Sequence, residues 1–423
     1  MGGEISVESA RPHAPTISDI IRRYYTVWGM YSFAGGFLFG VYPIFLRSRG
    51  LSQLQINSVL ATYFVILFLT DVPTGAFADL LGRRKSFVLG ALLRVCAFLL
   101  YFSAHHYYVF LIAEGIDGIG TTFGNGAIDA WGVDALDAAG YEGLKDRLFS
   151  RISQLTTVGF MGSAMIGAYV ADVNVAWPWL LGAAGYLVSL VVGAFLMHDE
   201  VPRTTTIRIA DIPRQVASRV TDGIRCGFNA PTVLMLSAAG AITVAAWAPY
   251  WVEWPIMFNE SFAVGIWIIG WIYCGLALAR MIGAEMSARI AYEESQRAAV
   301  VASLVLGASI MLFLAGLFGA RPIVALAMLF GMNICTGAMQ PLINSWFNEQ
   351  IESSNRATLL SFNSTIATMG GAVGLLLGGH IADVSGIPFE WQIAGLISAC
   401  AAPVYWAIKR REGGSVALAG TVD

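Results

Sequence analysis

The sequence is short of charge. Lys, Arg, Asp and Glu make up 13% of its 423 residues, about half the roughly 25% of soluble domains. Spread over a water-facing surface, so few charges could not keep a chain of this size in solution, which excludes a soluble multi-domain protein. Cysteine is also scarce. Cys96, Cys226, Cys274, Cys335 and Cys400 fall in no paired spacing, which argues against a disulfide framework or a zinc motif. The net charge is −3, and no basic stripe of the kind that binds nucleic acid is present. Ser-His-Asp arrangements, phosphate-cradling glycine loops and metal-spaced histidines do not stand out, so the chain does not read as an enzyme. Alternating strand-length patterns are missing too, which argues against an outer-membrane barrel.

What is present is hydrophobicity in helix-length runs: 57% hydrophobic residues and a mean hydropathy of +0.66. A membrane crossing takes about 20 apolar residues. Twelve segments qualify, at about 24–46, 53–78, 86–104, 107–133, 149–171, 175–197, 231–258, 262–288, 298–318, 321–346, 357–382 and 391–408. They predict an all-α membrane protein with twelve transmembrane helices in two pseudo-symmetric six-helix bundles. Residues 1–23 form an N-terminal tail, 24–197 the first bundle, 198–230 a polar connector, 231–408 the second bundle and 409–423 a C-terminal tail. After Pro213 the connector patterns as a short helix lying on the membrane surface. Twenty of the 25 Lys and Arg residues fall on the side that holds both tails. By the positive-inside rule that side is cytoplasmic, in the cell membrane.

The two bundles echo one another. Glu114, Asp117, Thr121 and Asn125 on the fourth helix run i, i+3, i+7, i+11, and Asn333, Thr336, Gln340 and Asn344 do so on the tenth, six helices later. Each set is one helical face, and polar faces in lipid are costly, so both should point into a shared interior.

Between helices 2 and 3 the chain reads Gly75-Ala-Phe-Ala-Asp79-Leu-Leu-Gly82-Arg83-Arg84-Lys85. Gly75 and Gly82 permit close helix approach and a tight turn, Asp79 can attract a helix N-terminus, and the arginines anchor topology. This segment resembles the signature loop of the major facilitator superfamily, a family of secondary transporters, and the twelve helices, the six-plus-six split and the long connector agree with it. The resemblance implies alternating access around a cavity lined by helices 1, 4, 7 and 10. It also implies a latch in which Asp79 meets helix 11 and Arg83 pairs with an acid at the inner end of helix 4, Asp129 or Asp134. The counterpart after Arg280 lacks the aspartate. Helix 5 carries Gly159, Gly162 and Gly167 without the Gly-Pro pair of drug-exporting members.

Ionisable residues inside a membrane are functional candidates. At about 1.5 Å per residue, Asp71, Arg94 and Asp117 reach one depth, with Glu114 a turn away. One arginine neutralises one carboxylate, so Glu114, Asp117, Asp71 and Arg94 are the proton-coupling candidates; a fixed Arg94–Asp117 pair is the structural alternative. Glu253 lies among Trp247, Tyr250, Trp251 and Trp254, a setting that suits an organic cation or a flat ring, or a plain interfacial belt. Pro249 and Pro255 predict a broken helix there, and Arg280 is expected to meet Glu285 or an anion. The substrate-contact candidates are Tyr31, Asn125, Trp251, Glu253, Asn333, Gln340 and Asn344. The expected function is export of a small hydrophobic organic compound by proton antiport, with uptake by symport and a non-transporting receptor or scaffold as alternatives. The expected partners are the substrate, protons and lipid; no cofactor beyond the proton gradient and no nucleic acid is expected, and the chain is expected to act as a monomer.

Overall fold

The computed structural model of the chain describes residues 16–143, 145–198, 230–289, 296–351 and 356–408, together with Thr221, Arg225 and Gly227 of the connector. The surface helix expected after Pro213 and most of both tails lie outside the described residues. Within them there are thirteen helices and no strand. The first half comprises α1 Ile17–Gly36, α2 Val41–Ser48, α3 Gln53–Leu81, α4 Arg83–Ser103, α5 Tyr107–Ala138, α6 Lys145–Val173 and α7 Trp177–Leu196. The second comprises α8 Pro231–Phe262, α9 Trp267–Arg289, α10 Arg297–Leu317, α11 Pro322–Glu349, α12 Arg356–Ser385 and α13 Ile387–Ala399, which continues as helix over 401–408.

Ten of the twelve crossings are long and apolar enough on composition alone. The other two, α5 and α6, run 32 and 29 residues but carry acids on α5 and a charged first turn on α6. They are crossings by their place in the bundle, α5 packed on α3 and α4 and α6 on α1 and α9.

Two crossings differ from expectation for identifiable reasons. The first, predicted as one helix over 24–46, is broken between α1 and α2. Gly40 there has φ +80° and packs under Ile269 of α9 and Trp254 of α8, where a Cβ would not fit; a left-handed residue ends a right-handed helix. The seventh, expected to break at Pro249 and Pro255, is continuous as α8. Pro249 leaves the Ala245 carbonyl without its helical donor, and Gly374 of α12 presses directly against that oxygen. The neighbouring backbone thus covers the gap in the hydrogen-bond ladder.

Packing repeats after six crossings. In the first half α4 lies on α5 and α7, α3 on α5, and α1 on α6 and α7; in the second α10 lies on α11 and α13, α9 on α11, and α8 on α12 and α13. The halves meet through α3 against α12 and α6 against α9, themselves a symmetry-related pair.

Call the face with the Gly82 turn the basic side. At the opposite, far side the halves are tied by two equivalent contacts. Asp383, at the end of α12, accepts from the Ser52 hydroxyl (2.7 Å) and from the backbone N–H groups of Gln53 (2.7 Å) and Leu54 (3.0 Å) at the start of α3. Asp172, at the end of α6, accepts from the N–H of Ile266 (2.7 Å), just before α9. Each is a carboxylate on a helix N-terminus of the other half, with hydrogen bond and helix dipole acting together. Asp383→Ala and Asp172→Ala should each weaken this closure by about 1 kcal/mol. Together they should raise the population open on the far side by about thirtyfold. Pulsed spin-label distances between the far ends of α3 and α12 would read the shift, and unchanged distances would show the closure rests on apolar packing instead.

Candidate functional site

A buried cluster of opposite charges is built by α4 and α5. Arg94 pairs with Asp117 in a two-bond fork, Nε to Oδ1 at 2.8 Å and Nη2 to Oδ2 at 3.1 Å. Its guanidinium is caged by the rings of Tyr186 (4.2 Å), Tyr31 (5.4 Å) and Phe98 (5.7 Å), so cation–π attraction and the planar fork replace its hydration. Glu114, one turn earlier on α5 and also buried, accepts a hydrogen bond from the Tyr101 hydroxyl. Tyr101 is itself held flat against Trp179, centroids 4.0 Å apart. The cluster therefore holds one guanidinium and two carboxyls. Asp71 does not join it: it is exposed on α3, and among the described residues no hydrogen bond or ion pair links it to Arg94.

At the basic side Arg83 bonds Asp79 at 2.8 Å and Asp134 at 3.5 Å. Asp129 is taken instead by the Tyr24 hydroxyl (2.9 Å) and the Trp28 indole N–H (2.7 Å), so of the two acids Asp134 is the partner of Arg83. Gly82, with φ +98°, makes the tight turn into α4. Gly75 is not at a close approach here: a Cβ added to it would meet open space. Arg84 is exposed.

The substrate candidates are dispersed. Tyr31 belongs to the Arg94 cage. Asn333 is buried, its amide donating to the Tyr250 hydroxyl (3.2 Å) and the Leu329 carbonyl (2.9 Å). Glu253 is sealed in the second half, away from any opening, with one oxygen accepting from the Trp391 indole (3.0 Å). Asn125 is half-buried, whereas Gln340 and Asn344, bonded to each other at 3.1 Å, are exposed. Both polar stripes thus pass from burial to exposure toward the basic side. A cavity of about 200 Å³ between α1, α6 and α9 is lined by Ser32, Thr156, Thr157, Phe160 and Tyr273. Behind Tyr273 the ring of Phe39 lies 4.3 Å from it and 6.3 Å from Trp251 between centroids. Arg280 lies over the Trp251 ring at 4.9 Å. Its expected partner Glu285 is instead bound to Arg289 at 2.7 Å, and among the described residues no acid pairs with Arg280.

Sequence reasoning missed Tyr101, Tyr186, Glu390 and the two far-side aspartates. A signal for the last existed: Ala-Asp-Val recurs at 171–173 and 382–384, at the same end of the fifth and eleventh crossings.

The sequence profile of the Major Facilitator Superfamily matches residues 27–331 and 236–422. The quinolone resistance protein NorA of Staphylococcus aureus (strain MRSA252) is 21% identical over 389 residues, 92% of this chain and 91% of that protein. The uncharacterized MFS-type transporter YxaM of Bacillus subtilis (strain 168) is 21% identical over 373 residues, 86% of this chain and 89% of that one. Among solved structures, the nucleoside transporter NupG superposes with a TM-score of 0.72 at 12% identity, over 92% of this chain and 98% of its own, a likeness of fold.

Proposed function

The chain belongs to the Major Facilitator Superfamily, and from that premise we propose that it exports a small hydrophobic organic compound across the cell membrane in exchange for protons. The observation that carries this reading is the Glu114 carboxyl, buried beside an Arg94–Asp117 pair that is already complete. A carboxyl with no cation of its own, held by Tyr101 with Tyr42 beside it, suits a group that is charged in one conformation and neutral in the other. Glu114 takes the proton, and the Arg94–Asp117 fork holds α4 and α5 in register. The basic side is cytoplasmic, in keeping with twenty of 25 Lys and Arg residues assigned there by sequence. With the far side closed and the stripes emerging on the basic side, this conformation receives substrate from the cytoplasm. NorA's name, a quinolone resistance protein, supports a small organic compound as the substrate.

Proton movement in proteoliposomes, followed with a pH-sensitive dye while organic compounds are added, tests the proposal. A compound should drive protons out of acidic vesicles with the wild type and not with Glu114→Gln, which still binds it. Proton flow in the same direction as the compound would turn the reading to uptake by symport. No response from folded protein across the panel would remove the antiport reading.

The cavity and the rings behind it sharpen the substrate class. Phe39, Phe160, Tyr273 and Trp251 favour a flat apolar body, and Arg280 favours an acidic group on it. Aromatic carboxylates should therefore bind at least tenfold tighter than quaternary ammonium compounds of similar size, and Arg280→Gln should erase most of that preference. Calorimetric titration of both classes measures it, and equal affinities would remove Arg280 from the substrate site.

A further inference from the structure

Glu253 and Glu390 are the most deeply buried acids among the described residues, 0% and 3% exposed. Glu253 lies on α8, and Glu390 in the first turn of α13. The two carboxyls are neighbours, and Asn57 of α3, from the other half, faces Glu253. One oxygen of Glu253 accepts from Trp391 at 3.0 Å, while Oε1 of Glu253 and Oε2 of Glu390 have no hydrogen-bond partner. Among the described residues neither acid is in an ion pair.

The surroundings supply no counter-charge. On α8 the flanking titratable groups are Tyr250, whose ring lies 5.9 Å from that of Trp391, and Glu260 at the far end, 3.7 Å from Arg47 of α2. On α12, His380 and Asp383 are exposed. From α11 comes Asn333, and from α3 Gln53 and Asn57, all neutral; Arg47 of α2 donates to Gln53 (2.9 Å), which donates to Asn57 (2.9 Å), so the nearest cation on that side stands behind two neutral amides. The Arg297 side chain of α10, the helix packed on α13, is bound to Glu349 at the opposite end of the bundle.

Two neighbouring carboxylates with no cation, buried away from bulk solvent, repel strongly. A single proton changes both terms: one carboxyl becomes a donor, and the two orphan oxygens satisfy each other. We propose that Glu253 and Glu390 form a second proton-binding site, in which one proton is shared between Glu253 Oε1 and Glu390 Oε2 while the far side is closed. Helix α3 is the cover. Asn57 donates to the Leu375 carbonyl of α12 at 3.1 Å, Gly379 of α12 packs on Asn57 and Leu54, and Asp383 holds the α3 N-terminus just beyond. Opening the far side withdraws Asn57, admits water and lets the pair exchange its proton with that side.

The site is separate from Glu114, so its test does not pass through transport. Infrared spectra of the purified full-length protein in lipid nanodiscs, in H2O and D2O, report protonated carboxyls through their C=O stretch. A deuterium-sensitive carboxylic-acid band is expected at neutral pH. The doubly substituted Glu253→Gln/Glu390→Gln protein should lose the intensity of one carboxyl, Glu114→Gln should retain that component, and exchanging choline for sodium should leave it unchanged. Should the double variant fail to fold, either single variant serves: it replaces the shared proton by an amide donor and should abolish or displace the same component. A wild type without the band, a band that survives these variants unaltered, or its removal by Glu114→Gln would overturn the proposal. Disappearance in sodium would overturn it in favour of a cation site.

Discussion

Glu114→Gln/Asp117→Asn is expected to be the most damaging pair of side-chain changes in the first half, worse than Arg94→Gln. The asymmetry follows from what each remnant can do. With Arg94 gone, Asp117 and Glu114 can each discharge by taking up a proton, at a cost of about 1.4 kcal/mol per pH unit. With both acids gone, the guanidinium cannot lose its proton at any accessible pH, and the Tyr186, Tyr31 and Phe98 rings around it soften that charge without neutralising it. Removing one member of a buried pair costs about 3–5 kcal/mol, and here no carboxylate of the cluster is left to take over. Asp117→Asn alone should fall between, because Glu114 is one turn away and can turn to the arginine. Thermal unfolding in detergent, followed by tryptophan fluorescence, should rank the proteins wild type, Arg94→Gln and Asp117→Asn above the double variant. If Arg94→Gln proves the least stable, the arginine's packing rather than its charge is what the site depends on.

The crossings and the six-plus-six division were legible because hydrophobic runs and the placement of Lys and Arg are local signals. That Arg94 and Asp117 share a depth was legible for a related reason, since counting residues from two turns fixes depth; the same count put Asp71 beside them, and Asp71 is exposed instead. Rotation about a helix axis is not counted that way. Asp129 and Asp134 sit five residues apart on α5, on different faces, and only the packing of α5 on α1 and α4 decides that Tyr24 and Trp28 take the first and Arg83 the second. Gly40, left-handed at the start of α2, packs under Ile269 and Trp254, residues more than two hundred positions away, a neighbourhood that no local signal reveals. Glu390 went unseen through an error of a few residues: a twelfth helix begun at 391 leaves it in a loop, whereas α13 begins at Ile387 with Pro388 in its first turn, a proline position that favours helix starts.

The second large effect is expected at α9 and α11, whose backbones touch through two glycines. A Cβ on Gly337 would fall on the Arg280 carbonyl, and one on Gly283 would fall on the Ile334 carbonyl. Both obstacles are main-chain atoms within helices, so neither can swing aside; the helices must separate. Separation costs the dispersion contacts that hold helices together in lipid, where no hydrophobic force compensates. Gly337→Ala should therefore destabilise by at least about 3 kcal/mol, the upper end for an overpacked core, and Gly283→Ala by a similar amount. Gly118 on α5, the helix related to α11 by the internal repeat, faces side-chain atoms of Ile66 and Tyr63 at a looser approach rather than a main-chain carbonyl, so Gly118→Ala should cost less. Gly240 and Gly75 face open space, and alanine there should be neutral or stabilising by up to about 1 kcal/mol. Size-exclusion profiles and melting temperatures of the five variants should separate into these three groups. Because Arg280 is one of the residues displaced, Gly337→Ala protein that survives in the membrane should also lose the preference for aromatic carboxylates. A Gly337→Ala protein as stable as Gly240→Ala would mean that α9 and α11 do not pack backbone to backbone.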